Sequence, residues 1–287
     1  MRIFVSMKVT QILAINYIRV KFRVLSLIST RKTAAAAFRL FCTPLVKPPR
    51  HVPSAFKFAE VLNEPFNGKS ITGYRWNKGK DKKLLILHGF SSASFKFHRY
   101  VLPMVEKGYE VIAFDAPAHG GSEGKTLNAI EYEMMIEKLV RQYGPFNAFI
   151  AHSFGGLALS LAMEKTPHDI QTKMVLIAPA TETSSAIDGA FKMLKLNNKK
   201  VRAAFDDIIL KMSGKPTEWF SVNRAMHNIK ASVLWIHDED DHITPIKDAL
   251  ITKEQHYPNV QFITTHGLGH RQVYRDEKTK NIVFDFL

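Results

Sequence analysis

Short apolar runs alternate with longer amphipathic stretches along most of the chain. Leu84–His88, Glu110–Phe114, Ala148–Ala151, Met174–Ala178, Val233–Ile236 and Val260–Thr264 are brief and mostly uninterrupted. That is the pattern of strands buried on both faces. Ahead of them, Phe56–Leu62 and Ile71–Trp76 read as an opening pair of strands, with Asn67-Gly68 at the turn between. Helical spacing fills the intervals Phe95–Lys107, Thr126–Tyr143, Phe154–Lys165 and Ile246–His256, and Arg271–Leu287 supplies a last helix. Such alternation predicts an α/β fold with a mainly parallel sheet flanked by helices.

Two stretches break this rhythm. Between Pro179 and Ser232 no strand is expected, while Ile187–Leu194 and Val201–Met212 have helical character. We expect a helical cap at about residues 181–231, over the catalytic edge of the sheet, with Phe191, Met193, Leu194, Trp219 and Phe220 as apolar walls. Residues 1–55 form a basic, apolar helical extension and a Pro-rich linker (Pro44, Pro48, Pro49, Pro53), leaving residues 56–287 as the main domain. Met7 is an alternative start.

Charge belongs to that extension. The chain has 40 Lys and Arg against 26 Asp and Glu, a formal +14. Eleven of the bases precede the first acid, Glu60, so the remainder carries 29 bases against 26 acids. The body is nearly neutral, and no zinc-finger spacing or aromatic-interleaved basic motif occurs, which argues against a nucleic-acid partner. Within Gln11–Ile28, Arg19, Lys21 and Arg23 interrupt the apolar run, disfavouring a membrane span and spoiling the centre of a signal peptide. A transit peptide, a helix lying on an anionic membrane, and a helix packed on the body all fit this composition. The single cysteine, Cys42, forms no internal disulfide and fits a reducing compartment. The expected location is cytoplasmic, with a peripheral membrane contact through the N-terminal segment left open.

The chemistry centres on Ala148-Phe-Ile-Ala-His-Ser-Phe-Gly-Gly156, where an apolar strand meets Ser153 and a helix starts at once. A nucleophilic serine on such a turn needs small residues two before and two after it, here Ala151 and Gly155. Alanine at the first place departs from the usual glycine. The turn aims the Phe154 amide at an oxyanion, and His88-Gly-Phe90 at the end of an earlier strand offers the Phe90 amide as second donor.

Serine needs a base, and the base needs an acid that fixes its tautomer. In this topology the chain order is Ser, acid, His. The loop His237-Asp-Glu-Asp-Asp-His-Ile-Thr-Pro245 offers four acids. Asp241, four residues before Pro245, is favoured; Asp240 is the rival, and Asp238 lies too close to the strand end. In His266-Gly-Leu-Gly-His270, the glycines suggest a mobile loop that swings His270 under the serine as general base, and His266 ends the strand.

These motifs, with Asp115-Ala-Pro-Ala-His-Gly-Gly-Ser122, resemble the α/β-hydrolase superfamily, and the bacterial branch similar to serine aminopeptidase and monoacylglycerol-lipase-like hydrolases in particular. The resemblance runs from about Phe56 to Leu287. It implies an α/β-hydrolase fold and a serine hydrolase working through an acyl-enzyme without metal or cofactor. His119, in the loop that shapes the family's pocket, is read as structural.

Competing motifs are weaker. Gly68-Lys-Ser70 resembles the end of a phosphate loop, but position 63 is Asn instead of Gly. The acids of 238–242 beside His237 lack a matching ligand set elsewhere. Cys42 reads as a packing residue. The sequence therefore points to hydrolysis of a small-molecule carboxylic ester, or of a thioester or amide, at Ser153. The alternatives are an aminopeptidase-like amide hydrolase and a binding or scaffold protein on the same fold.

Overall fold

One sheet of eight strands organises the larger part of the chain. The computed structural model describes residues 9–45 and 52–287; Met7, Lys47, Pro48, Pro49 and Arg50, used in the sequence reading, lie outside that range. The strands are β1 Glu60–Phe66, β2 Lys69–Trp76, β3 Lys83–Leu87, β4 Glu110–Phe114, β5 Ala148–His152, β6 Lys173–Ile177, β7 Ser232–Asp238 and β8 Val260–Thr265. Their order is β1-β2-β4-β3-β5-β6-β7-β8. β1 with β2 and β2 with β4 pair antiparallel; every other pair is parallel.

The central stretches of the inner parallel strands are apolar because both faces are covered. Leu84, Leu85, Ile86 and Leu87 of β3 are buried, as are all residues of β4 and β5. Burying each such side chain contributes about 1.5–3 kcal/mol. The covering helices are α3 His98–Glu106, α4 Ala129–Tyr143, α5 Phe154–Met163, α8 Val222–Met226, α9 Ile246–Glu254, α10 Gly269–Gln272 and α11 Glu277–Phe286. Side-chain caps fix three starts: Asn128 accepts from the Glu131 amide before α4, Ser221 from the Arg224 amide before α8, and Asp276 from the Thr279 amide before α11.

One expected strand is displaced. The stretch expected to be a strand at Phe56–Leu62 opens as a 3₁₀ turn, Ser54–Phe58, and β1 starts only at Glu60. Phe56 packs edge-on against Tyr74 and Trp76, each at 4.9 Å, while Trp76 Nε1 donates to the Ala55 carbonyl. The start of that run plugs the flank of β2, and only its last three residues, from Glu60 to Leu62, pair with it.

A second compact unit consists of residues 9–42 with Ser184–Trp219. It holds helices α1 Val9–Ile28 and α2 Thr30–Phe41, nearly all of α6 Thr183–Leu194, and α7 Lys199–Ser213. The Ala-rich tract of α2 lets it approach α7 closely: Ala34 and Ala37 are buried. Phe205 of α7 receives the rings of Phe38 at 5.4 Å, Phe41 at 5.9 Å and Phe191 at 5.5 Å. Phe191 and Leu194, expected as walls for a substrate, are buried inside this unit. Phe191 spends its apolar surface on Phe205 of α7. Cys42 is buried as well.

Candidate active site

Ser153 sits where β5 becomes α5, with φ 55° and ψ −122°. A non-glycine residue in that region costs on the order of 1–3 kcal/mol and persists only where its surroundings enforce it. Here the Ser153 amide donates to the Ile177 carbonyl, and the Ser153 carbonyl accepts from the Ala180 amide at 3.0 Å. The turn presses on the end of β3. A Cβ on Gly155 would lie 2.6 Å from the His88 carbonyl oxygen and 2.9 Å from that of Leu87, so only glycine fits.

The three predicted side chains meet. Ser153 Oγ lies 2.9 Å from His270 Nε2, and His270 Nδ1 lies 2.7 Å from Asp241 Oδ2. All three residues are buried. A carboxylate only accepts, so the imidazole places its Nδ1 proton toward Asp241 and turns the Nε2 lone pair to the serine hydroxyl.

The acids divide the work of the loop between them. Asp241 Oδ1 accepts the amides of Ile243 and Thr244, and Oδ2 accepts the Thr244 hydroxyl at 2.8 Å besides His270. Burial alone would raise this carboxyl's pKa; hydrogen bonds and charge from His270, with those from Thr244, outweigh it and hold the pKa below the ordinary value. Asp240 faces elsewhere, accepting the Gly267 amide at 2.9 Å and lying 3.3 Å from His266. His266 itself is exposed, just past the end of β8. Asp238 holds the turn that carries His270. Its Oδ2 accepts from Thr265 Oγ1 at 2.7 Å and the Leu268 amide at 3.1 Å, and its Oδ1 accepts from the Gly269 amide at 2.7 Å and the Asp240 amide at 3.0 Å.

The glycines flanking this turn therefore do something other than expected. Gly267 and Gly269 have φ of 79° and 59°. They supply left-handed backbone so that three consecutive amides can face two carboxylates. In the sequence they read as a source of mobility; the hydrogen bonds make the turn a fixture.

Several histidines that look catalytic in a list of residues are neutral clamps. His88 Nδ1 donates to the Gly89 carbonyl while Nε2 accepts the Ala116 amide, and burial pushes its pKa down to about 4. His119 Nδ1 donates to the Pro117 carbonyl and Nε2 accepts the Ser91 amide at 3.0 Å, which pins the chain one residue beyond Phe90. Burial, helped by neighbouring His88, lowers its pKa to about 3. His237 Nε2 donates to the Thr244 carbonyl at 2.7 Å and so braces the Asp241 loop. His152, next to the serine, donates from Nε2 to the His270 carbonyl at 3.1 Å, and its ring lies 4.7 Å from the imidazole of His270. Burial drives its pKa well below the usual value. The sequence held one signal for these clamps: each histidine lies at a strand end or in a loop beside a motif.

Phe90 and Phe154 are neighbours beside Ser153. Their rings meet edge to face at 5.6 Å, both partly exposed. A Cβ on Gly89 would lie 2.9 Å from Ser153 Cβ and 3.0 Å from His152 Nδ1. Glycine is needed there for close approach, not for an unusual turn, since its φ is not left-handed. Asp115 anchors the same region from below, accepting the amides of Ser94 at 2.7 Å and Gly121 at 2.9 Å. Burial raises its pKa despite those bonds. Among the described residues no group of three metal-ligating side chains is arranged to hold an ion.

Comparison with known proteins adds a lineage to this geometry. A family model described as serine aminopeptidase, S33 matches residues 78–223, a span that contains Ser153 but ends before Asp241 and His270. A lysophosphatidylserine lipase of Danio rerio is 28% identical over 229 residues, 71% of this chain and 57% of that protein. An uncharacterized hydrolase of Bacillus subtilis, YugF, is 30% identical over 106 residues, 35% of this chain and 37% of that protein. The chain thus spans little more than half the length of the first relative and little more than a third of the second. Among solved structures, an esterase of Pyrococcus furiosus superposes with a TM-score of 0.62 at 20% identity, covering 85% of this chain and 95% of that one. The mouse alpha/beta hydrolase domain-containing protein 10 gives 0.58 at 16%, covering 79% and 96%. At these identities the structural likeness is one of fold.

Proposed function

The chain belongs to the serine aminopeptidase, S33 family of α/β-hydrolases, and from that premise we propose that it cleaves a carboxylic ester through an acyl-enzyme on Ser153. His270 takes the hydroxyl proton as Ser153 Oγ attacks the carbonyl carbon, and Asp241 stabilises the imidazolium that results. The amides of Phe90 and Phe154 receive the oxyanion. Collapse expels the alcohol, protonated by His270; a water deprotonated by the same imidazole then releases the acid and restores the serine. The observation that carries this reading is the 2.9 Å hydrogen bond from Ser153 Oγ to His270 Nε2, backed by the 2.7 Å bond to Asp241.

An apolar acyl ester suits the surroundings, because the partly exposed rings of Phe90 and Phe154 flank the nucleophile. The lipase name of the zebrafish relative makes lipid esters the class to try first. Aminopeptidase activity is the less favoured reading. A free amino terminus needs a carboxylate, and Asp115, Asp238 and Asp241 are buried and already accept hydrogen bonds from the chain.

The test is labelling with a fluorophosphonate beside turnover of p-nitrophenyl esters of increasing length and of aminoacyl-anilides. Labelling that Ser153→Ala abolishes, with ester turnover exceeding anilide turnover, supports the proposal. Absence of labelling in the folded protein assigns a binding role, and preference for anilides assigns a peptidase.

A further inference from the structure

The outward face of α1 carries an unbroken apolar stripe. Leu13, Tyr17, Val20, Val24 and Leu27 recur in alternating steps of four and three residues, which at 3.6 residues per turn places them within about 80° of arc. They are between 52% and 85% exposed. The opposite face is engaged inside the helical unit. Phe22 is buried there, and Arg19 donates from Nε and Nη2 to the Met193 carbonyl at 3.0 and 2.8 Å. So α1 is apolar on both sides, yet only one side has a partner within its unit.

The charges around the stripe select what covers the other side. Lys21 and Arg23 are exposed, and helical geometry sets them about 80° to either side of the stripe's midline. Arg31 and Lys32, also exposed, follow at the start of α2. No acidic residue occurs before Glu60. Pairing with a second copy would set bases against bases along both flanks of the seam, without a carboxylate in the segment to relieve them. None of the described helices is long and apolar enough to cross a membrane. An anionic lipid surface satisfies both features. Apolar side chains enter the boundary between headgroups and acyl chains, Lys and Arg extend their stems along it to reach phosphates, and tyrosine favours that interface.

We propose that α1 docks in the plane of an anionic phospholipid membrane, with the stripe from Leu13 to Leu27 inserted and Lys21 and Arg23 on lipid phosphates. The inference concerns the helical unit and does not depend on ester hydrolysis at Ser153, since binding is measured without turnover.

Sedimentation of the full chain with vesicles tests it, using equal parts phosphatidylglycerol and phosphatidylcholine against phosphatidylcholine alone. The protein should sediment with the anionic vesicles at low salt, far less with the neutral ones, and should be released as salt rises. Val20→Asn with Val24→Asn should weaken binding about tenfold or more. Lys21→Gln with Arg23→Gln should do the same on anionic vesicles only. These side chains are exposed, so both variants should unfold at the parental temperature. As a readout in an otherwise unaltered face, Tyr17→Trp should shift its fluorescence to the blue when anionic vesicles are added. Failure to sediment with anionic vesicles overturns the proposal, as does sedimentation indifferent to both substitution pairs. A dimer that Val20→Asn with Val24→Asn dissociates, in protein that ignores vesicles, assigns the stripe to a second copy.

Discussion

The carboxylate of Asp238 accepts the Gly269 amide at 2.7 Å, so the end of β7 grips the turn that presents His270. With the bonds from Leu268, Thr265 and Asp240, one buried side chain ties the acid loop to the base loop. Burial opposes its ionisation, but the hydroxyl and amide donors win and its pKa falls below the ordinary value.

Asp238→Asn turns an amide NH₂ toward backbone N–H donors, leaving at least one of them unpaired. We expect a loss of about 1–3 kcal/mol in stability and a fall of about 10²-fold in kcat/KM, since a misplacement near 1 Å suffices for that. Amide hydrogen exchange at Leu268 and Gly269 should quicken well beyond the global change. Unaltered exchange there would remove Asp238 from the positioning role.

Substitution of the two neighbouring acids separates their roles. Asp241→Asn is expected to lower kcat by about 10⁴ with the fold intact. Asp240→Asn, losing one partly exposed bond to Gly267, should change kcat by less than about tenfold. Steady-state kinetics on a p-nitrophenyl ester decides, and the reverse ranking would move the orienting acid to 240.

Glycine 89 tests the oxyanion assignment. In Gly89→Ala the new methyl lies 2.9 Å from Ser153 Cβ, and the relief is expected to push the Phe90 amide away from the reacting oxygen. The prediction is a fall in kcat of about 10²–10³ with KM little altered. Gly155→Ala meets backbone oxygens at 2.6 and 2.9 Å instead. It should act first on stability, by about 1–3 kcal/mol, seen in thermal unfolding.

Acid should destabilise the protein well above the carboxylate range. His88, His119 and His152 have folded pKa values below the unfolded 6.5. The unfolded chain therefore binds more protons, and their contribution is complete above about pH 6.5 and lost as pH falls toward the folded values. For His88, whose folded value is about 4, the loss is on the order of 3 kcal/mol across that window. Asp115, raised by burial, works in the opposite sense, its burial penalty easing as pH falls through its raised folded value. Asp241 and Asp238, both lowered, add a further loss below the usual carboxylate value of about 4. Urea unfolding between pH 7 and 5 measures this. His119→Gln should flatten the slope, and a slope equal to the parent's would discount the buried histidine.

The sequence by itself determined the mainly parallel sheet, the strand-to-helix serine and the chain order of Ser153, Asp241 and His270. Buried parallel strands must be apolar throughout, and a nucleophile on a sharp turn must have Gly155 behind it, so both leave local marks. The sequence favoured Asp241 over Asp240 by its distance from Pro245 alone; the direction in which each carboxylate faces is a property of the tertiary structure. Tertiary structure also decided that Gly267 and Gly269 fix their turn through Asp238 and Asp240, that His88 and His237 are clamps, and that Phe56 is a plug. Most of these contacts reach a partner distant in sequence, and hydrogen bonds and ring contacts act through space, so a local pattern marks the position without naming the partner.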